Sequence, residues 1–402
     1  MAGEDWWESY TYDSRGYQTE AAWAGDDDAG VAGQRAHKGS LLLSAGDTAF
    51  GYDPAGRTVR RTRRHSSRPP SVWQYRWNAE DQLTEVRTPE GDVWEYRYDP
   101  LGRRFAKWLR DARGRAVNRT DYVWAGTTLA EQTEFSGSAA PRTTSWDYLA
   151  GVPIAQTVTT GALRLDEQQD YDRAFYSIVS DLVGTPTHLV DTSGDVVWRN
   201  DTSLWGVPAP DRGGEVQGGA ADCPLRFPGQ VLDAESGLHY NHYRYYDPSV
   251  ARYCTPDPLG PRPQVNHYGY VPNPLHWRDP LGLEGDGYLY RGLCRDHYKF
   301  SEGMEGRAVP LGGDADAALH NGGNTNSNLT SWTTDFEDVA LDAADELGPG
   351  GIVLRIPEDH VPADRFVESQ DIYGESEYLI RDEVTGAEVT TDRGRSWFQC
   401  PG

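Results

Sequence analysis

Apolar and polar positions alternate along much of the first half of the chain, in runs such as Val93-Trp94-Glu95-Tyr96-Arg97-Tyr98. Period two is the mark of a strand with one covered face. The runs end in turns of one kind, Tyr52-Asp53-Pro54-Ala55-Gly56-Arg57 and Tyr98-Asp99-Pro100-Leu101-Gly102-Arg103. Proline fixes φ in such a turn and glycine accepts φ > 0. Tyr75-Arg76-Trp77-Asn78 reads as a degenerate copy, which places Tyr52, Tyr75 and Tyr98 at an even spacing of 23 residues. Tyr12-Asp13-Ser14-Arg15-Gly16 is an earlier copy, and Tyr122, Tyr148 and Tyr171 continue the period more loosely. A fixed period with turn residues at one phase predicts stacked β-hairpins, each covered by its neighbours. This pattern stops at Arg278-Asp279-Pro280-Leu281-Gly282-Leu283, and a segment without the repeat follows.

Composition agrees with many short strands. The 402 residues include 44 Gly, 25 Pro and 14 Trp, with 11% aromatic residues. No apolar run is long enough to span a bilayer, and the first residues lack the basic-then-apolar pattern of a secretory signal. Residues 284–402 hold 24 acidic and 9 basic side chains, so they carry −15 of the net charge of −24. That makes the segment a poor non-specific binder of nucleic acid or anionic membrane; it suits a basic protein partner or serves solubility alone. Cys223, Cys254, Cys294 and Cys400 have no metal-ligand spacing, so free thiols and no metal are expected.

The repeats, followed by Asp181-Leu182-Val183-Gly184-Thr185-Pro186, Phe227-Pro228-Gly229-Gln230, Arg244-Tyr245-Tyr246-Asp247-Pro248, Asp257-Pro258-Leu259-Gly260 and Asp279-Pro280-Leu281-Gly282-Leu283, resemble the Rhs/YD-repeat proteins and their associated core. Leu182 stands where the family usually has His, and Pro261 where the first Asp-Pro motif usually has Leu. The resemblance implies a YD-repeat region over 1–170, an Rhs core over 171–283 and a C-terminal toxin over 284–402. It further implies a shell, delivery into a target cell, a neutralising immunity protein, and cleavage between Leu283 and Glu284 by the carboxyls of Asp257 and Asp279. Read without the family, both aspartates cap Pro-Gly turns.

Three features mark 284–402. Tyr288-Leu289-Tyr290-Arg291-Gly292 reads as a strand ending in Arg-Gly. Leu329-Thr330-Ser331-Trp332-Thr333-Thr334-Asp335 is a strand running into a helix whose stripe is Phe336, Val339, Ala340, Ala343 and Leu347. Tyr373-Gly374-Glu375-Ser376-Glu377 places two glutamates on one face of a strand entry. Their order resembles the Arg-Ser-Glu class of ADP-ribosyltransferases. That resemblance implies a small α+β domain with two facing sheets and NAD as substrate. In it Arg291, Gly292, Ser331, Trp332 and Thr333 line the NAD pocket, Glu377, Glu375, Ser331 and Arg291 are catalytic, and Tyr373 and Glu375 meet the acceptor, taken to be protein. A nuclease or deaminase cargo ranks lower here, because His297, His320 and His360 lack metal spacing. A surface-binding protein without enzymatic activity is the other alternative.

Overall fold

The repeat turns close in one way. In each, the first oxygen of an Asp side chain accepts the backbone N–H groups two and four residues on. Asp53 does so from Ala55 and Arg57, both at 3.0 Å, and Asp99 from Leu101 and Arg103, both at 2.9 Å. Asp13, Asp111, Asp181 and Asp191 repeat the device. Three residues after the aspartate the backbone turns left-handed, and glycine holds that place at Gly56 and Gly102 (φ 84° and 82°). Where arginine stands four residues on, it pairs with the second carboxylate oxygen, as Arg57 does at 2.7 Å and Arg103 at 2.8 Å.

The structure is a computed structural model. It describes residues 7–24, 30–111, 113–149, 151–161, 172–208, 221–258, 266–283, 288–313, 326–333, 340–345, 348–357, 361–362, 365–367, 377–392 and 396–399. The chain divides into two compact units, Met1–Glu284 and Gly285–Gly402.

In the first unit, seventeen strands from Glu8–Tyr12 to Val196–Arg199 form one sheet. Every pairing joins sequence neighbours and is antiparallel, as between Val93–Tyr98 and Arg104–Arg110. The repeat phase differs from the tyrosine spacing. The degenerate copy turns on Asn78, whose side-chain oxygen accepts from Glu80 and Gln82, with Asp81 in the left-handed position (φ 59°). Trp77 therefore holds the place of Tyr52 and Tyr98. Tyr75 lies two residues earlier, in the core. Aromatic residues at three of these places, and Tyr148 besides, reach back across the sheet to a backbone carbonyl. Tyr52 donates to Leu42 O (2.9 Å), Trp77 to Thr58 O (2.8 Å), Tyr98 to Leu83 O (2.8 Å) and Tyr148 to Leu129 O (2.9 Å).

A second, four-stranded meander, Val231–Asp233, Leu238–Asn241, Arg244–Asp247 and Arg252–Tyr253, packs onto the sheet. Its Leu238, Tyr240 and Tyr245 form one core with Tyr75, Leu83, Val86 and Tyr96. Within that contact a fully buried Arg104 pairs with Asp233. Lys107 bridges Asp233 at 2.8 Å and Glu235 at 2.9 Å, and Tyr96 donates to Glu235 at 2.8 Å. Such buried charges are tolerable only when fully paired.

The second unit contains a single seven-stranded sheet. Its order is Phe366–Val367, Glu377–Arg381, Leu329–Thr333, Tyr288–Leu293, Ile352–Pro357, Glu388–Thr390 and Phe398–Gln399. The two facing sheets expected of an α+β domain are absent among the described residues. Leu329–Thr333 pairs with Glu377–Arg381 on one side and meets Tyr288–Leu293 on the other, which merges the segments into one sheet. The helices described are the five-residue Phe300–Met304 and Leu341–Asp345. The predicted helix start, 334–339, lies outside the described residues. No described helix is long and apolar enough to cross a membrane. Cys223, Cys254 and Cys294 are buried free thiols, and Cys400 lies outside the description.

Candidate functional site

Asp279 opens a turn built like those of the repeats. Its Oδ1 accepts the Leu283 N–H four residues on, at 3.0 Å, and Gly282 takes the left-handed place (φ 70°). A Cβ on Gly282 would stand 2.4 Å from the Asn241 carbonyl oxygen, so glycine is required there twice over. The difference from the repeats lies at the fourth residue. Leu283 replaces the arginine that would pair with the second carboxylate oxygen. That oxygen, Asp279 Oδ2, is served from the four-stranded meander instead: Tyr253 donates its hydroxyl at 2.6 Å and Arg244 approaches at 3.4 Å.

Arg244 is the hub. The same nitrogen, Nη2, lies 3.0 Å from Asp257 Oδ2, its Nε donates to the Gly282 carbonyl, and its guanidinium stacks 3.7 Å from the Tyr253 ring centre. Asn241 donates to the Asp279 carbonyl at 2.8 Å, and Tyr243 N–H to Leu281 O at 3.0 Å. Three backbone carbonyls ahead of Leu283, those of Asp279, Leu281 and Gly282, are therefore pinned to one hairpin, residues 238–247. Asp257 is anchored through its N–H to His267 O at 2.9 Å. Asp279 is 2% exposed. Burial raises its pKa above the ordinary carboxyl value, against the pull of Arg244 and the Tyr253 hydrogen bond, and the neighbouring Asp257 charge adds to the rise.

The site thus brings together Asp257, Asp279 and Leu283, and Glu284 lies outside the described residues. Arg244, Tyr253 and Asn241 were not singled out from the sequence. A signal for Arg244 was present: it stands in the aromatic run Arg244-Tyr245-Tyr246, and an arginine buried in such a strand requires an anion.

In the second unit, Arg291 donates to the Ser331 carbonyl at 2.7 Å, and Thr333 pairs in register with Glu377. Trp332 is 2% exposed, a core side chain whose Nε1 donates to Thr330 at 2.9 Å. Gly292 leaves room for the helix Leu341–Asp345, since a Cβ would stand 2.0 Å from the Ala340 carbonyl oxygen. Tyr373 and Glu375 lie outside the described residues, as does the side chain of Glu377. No group of His, Cys, Asp and Glu among the described residues is arranged to hold a metal.

The hairpins and their turns define a β-repeat chain, and the RHS Repeat family matches it over residues 77–121. The chain is 33% identical over 309 residues to the probable deoxyribonuclease RhsA of Dickeya dadantii (strain 3937), covering 76% of this chain and 20% of that protein. It is 36% identical over 246 residues to the probable deoxyribonuclease RhsB of the same strain, covering 61% and 16%. It is 36% identical over 287 residues to the double-stranded DNA deaminase toxin A of Burkholderia cenocepacia (strain H111), covering 66% and 19%. The chain therefore spans about a fifth or less of the length of these relatives.

These matches support an Rhs polymorphic toxin. They overturn the NAD-dependent ADP-ribosyltransferase reading, since the relatives are named for nuclease and DNA deaminase activity. The reading arose from three short motifs. Two of them have a structural reason: Trp332 fills the core and Gly292 admits a helix.

Proposed function

We propose that this chain is part of an Rhs toxin in which the β-repeat unit cuts its own backbone between Leu283 and Glu284, and the released unit acts on DNA. The observation that carries the first half is the buried Asp279 carboxyl, joined to Asp257 through Arg244 and holding the Leu283 N–H. One carboxyl of such a pair is protonated while the other is ionised. Asp279, with its raised pKa, is the acid, and Asp257 is the base. Asp257 takes a proton from water as the hydroxide adds to the Leu283 carbonyl carbon. Asp279 gives its proton to the departing Glu284 nitrogen, leaving a free Glu284 amine and a Leu283 carboxylic acid, which then ionises to solvent. Arg244 positions both carboxyls and fixes the Gly282 carbonyl beside the bond. DNA as the target rests on the activities for which three relatives are named. Delivery into a target cell and an immunity partner belong to the same proposal.

A denaturing gel of the purified chain is expected to show two pieces split after Leu283, and one intact band for Asp279→Asn. A wild-type chain that stays whole would refute self-cleavage. The released unit, incubated with plasmid DNA and divalent cations, is expected to break strands directly or after uracil excision. DNA intact under both read-outs would refute the DNA target.

A further inference from the structure

A second cluster in the β-repeat unit has no part in the cleavage proposal. A cavity of about 60 Å³ lies where the first strands meet the segments 250–252 and 266–271, and Arg35, Arg252, His37, Tyr12, Gln18 and Tyr270 line it. Arg35 is 8% exposed, yet its Nε and Nη1 have no hydrogen-bond partner among the described residues. Arg252, also buried, spends one nitrogen on the Ser40 carbonyl (2.8 Å) and stacks 4.4 Å from the Tyr268 ring centre. Neither arginine forms an ion pair with a described residue. Asp247, which Arg35 senses, is paired with Arg61 at 3.3 Å.

Two guanidinium groups therefore share one cavity, and Asp247, the carboxylate that Arg35 senses, is already paired with Arg61. This is an unfavourable arrangement unless an anion enters. The remaining lining suits one. The Tyr12 hydroxyl accepts from Trp205 Nε1 (3.1 Å) and Gln18 Nε2 (3.5 Å), which leaves its own proton to donate. Burial and the two arginines hold His37 below its ordinary value, so it stays neutral and adds no third charge. Burial also lowers Arg35 to about 10, still protonated at neutral pH.

We propose that this cavity is a binding site for a small inorganic oxyanion of the size and charge of phosphate, held by Arg35 and Arg252 with the Tyr12 hydroxyl as a further donor. The volume excludes a nucleotide, and arginine's planar fork matches oxyanion geometry. The bound anion joins the opening strands of the repeat sheet to the segment that follows the four-stranded meander.

The test is thermal unfolding and calorimetric titration of the full chain with inorganic phosphate, against chloride at matched ionic strength. Wild type is expected to show a saturable rise in Tm with phosphate alone. Arg35→Met is expected to lose that response, and Arg60→Met, an exposed arginine on the same sheet, to keep it. Should Arg35→Met fail to fold, Tyr12→Phe decides: removal of one donor is expected to weaken phosphate binding roughly tenfold. Equal responses to phosphate and chloride, no response in wild type, or a Tyr12→Phe affinity equal to wild type would overturn the proposal.

Discussion

Position 283 decides what the Asp279 carboxylate does. With arginine at that place, as at Arg57 and Arg103, the second oxygen is neutralised within its own turn. With leucine it is free to meet Arg244 and Tyr253. The Asp-Pro-x-Gly pattern was legible in the sequence as a turn. Its conversion into a site was not, because the deciding partners come from the four-stranded meander, 26 to 38 residues upstream. Another single side chain sets a pH limit. His239 is 1% exposed, its Nδ1 lies 2.8 Å from Gln230 Oε1, and burial holds its pKa well below 6.5. The folded chain keeps this ring neutral, while the unfolded chain takes up a proton below about pH 6.5. Stability is therefore full above that pH and falls as pH drops below it, by up to about 1.4 kcal/mol per unit from this group. Denaturant unfolding at pH 7.5 and 5.5 is expected to show a smaller loss for His239→Gln than for wild type. Equal losses would assign the effect elsewhere.

At the scale of elements, the hairpins were readable because their pattern is local: period two, an aspartate, and a residue able to turn left-handed. The even spacing of tyrosines was a false phase at one point. Tyr75 is a core residue, and the turn follows Trp77-Asn78, so what recurs is an aromatic donor placed before the turn, tyrosine or tryptophan alike. The union of the repeat sheet with the four-stranded meander was not readable, since it pairs residues more than a hundred positions apart. Arg104, Lys107, Asp233 and Glu235 carry it. Removing the shared anion leaves a fully buried arginine and a buried lysine short of charge. Asp233→Ala is expected to cost on the order of 3–5 kcal/mol, read as a lower urea midpoint at unchanged slope. A loss under about 1 kcal/mol would mean that Glu235 alone satisfies both cations.

For the molecule as a whole, the cleavage proposal ties chemistry to the completeness of one unit. The strands that hold Asp279, Leu238–Asn241 and Arg244–Asp247, are the same strands that pack onto Tyr75 and Tyr96. A change at Asp233, whose ion-pair partners are Arg104 and Lys107, is therefore expected to lower the cleaved fraction on a denaturing gel when refolding is carried out in mild urea. Undiminished cleavage in Asp233→Ala under those conditions would separate the two. The second unit resisted a functional reading from sequence because its short motifs serve ordinary needs, a core tryptophan and a glycine beneath a helix.

The neighbour-by-neighbour pairing of the seventeen strands has a consequence in time. A meander can form in the order in which it is synthesised, each strand docking on the one before it. Its inner face, lined by Tyr75, Tyr96 and the buried charges of Arg104 and Lys107, stays uncovered until residues 231–253 have emerged. Asp279 follows these in the chain, and its burial requires them. The carboxyl pair is thus the last part of the unit to assemble, and a cut at Leu283 would serve as a chemical record that everything before it had folded.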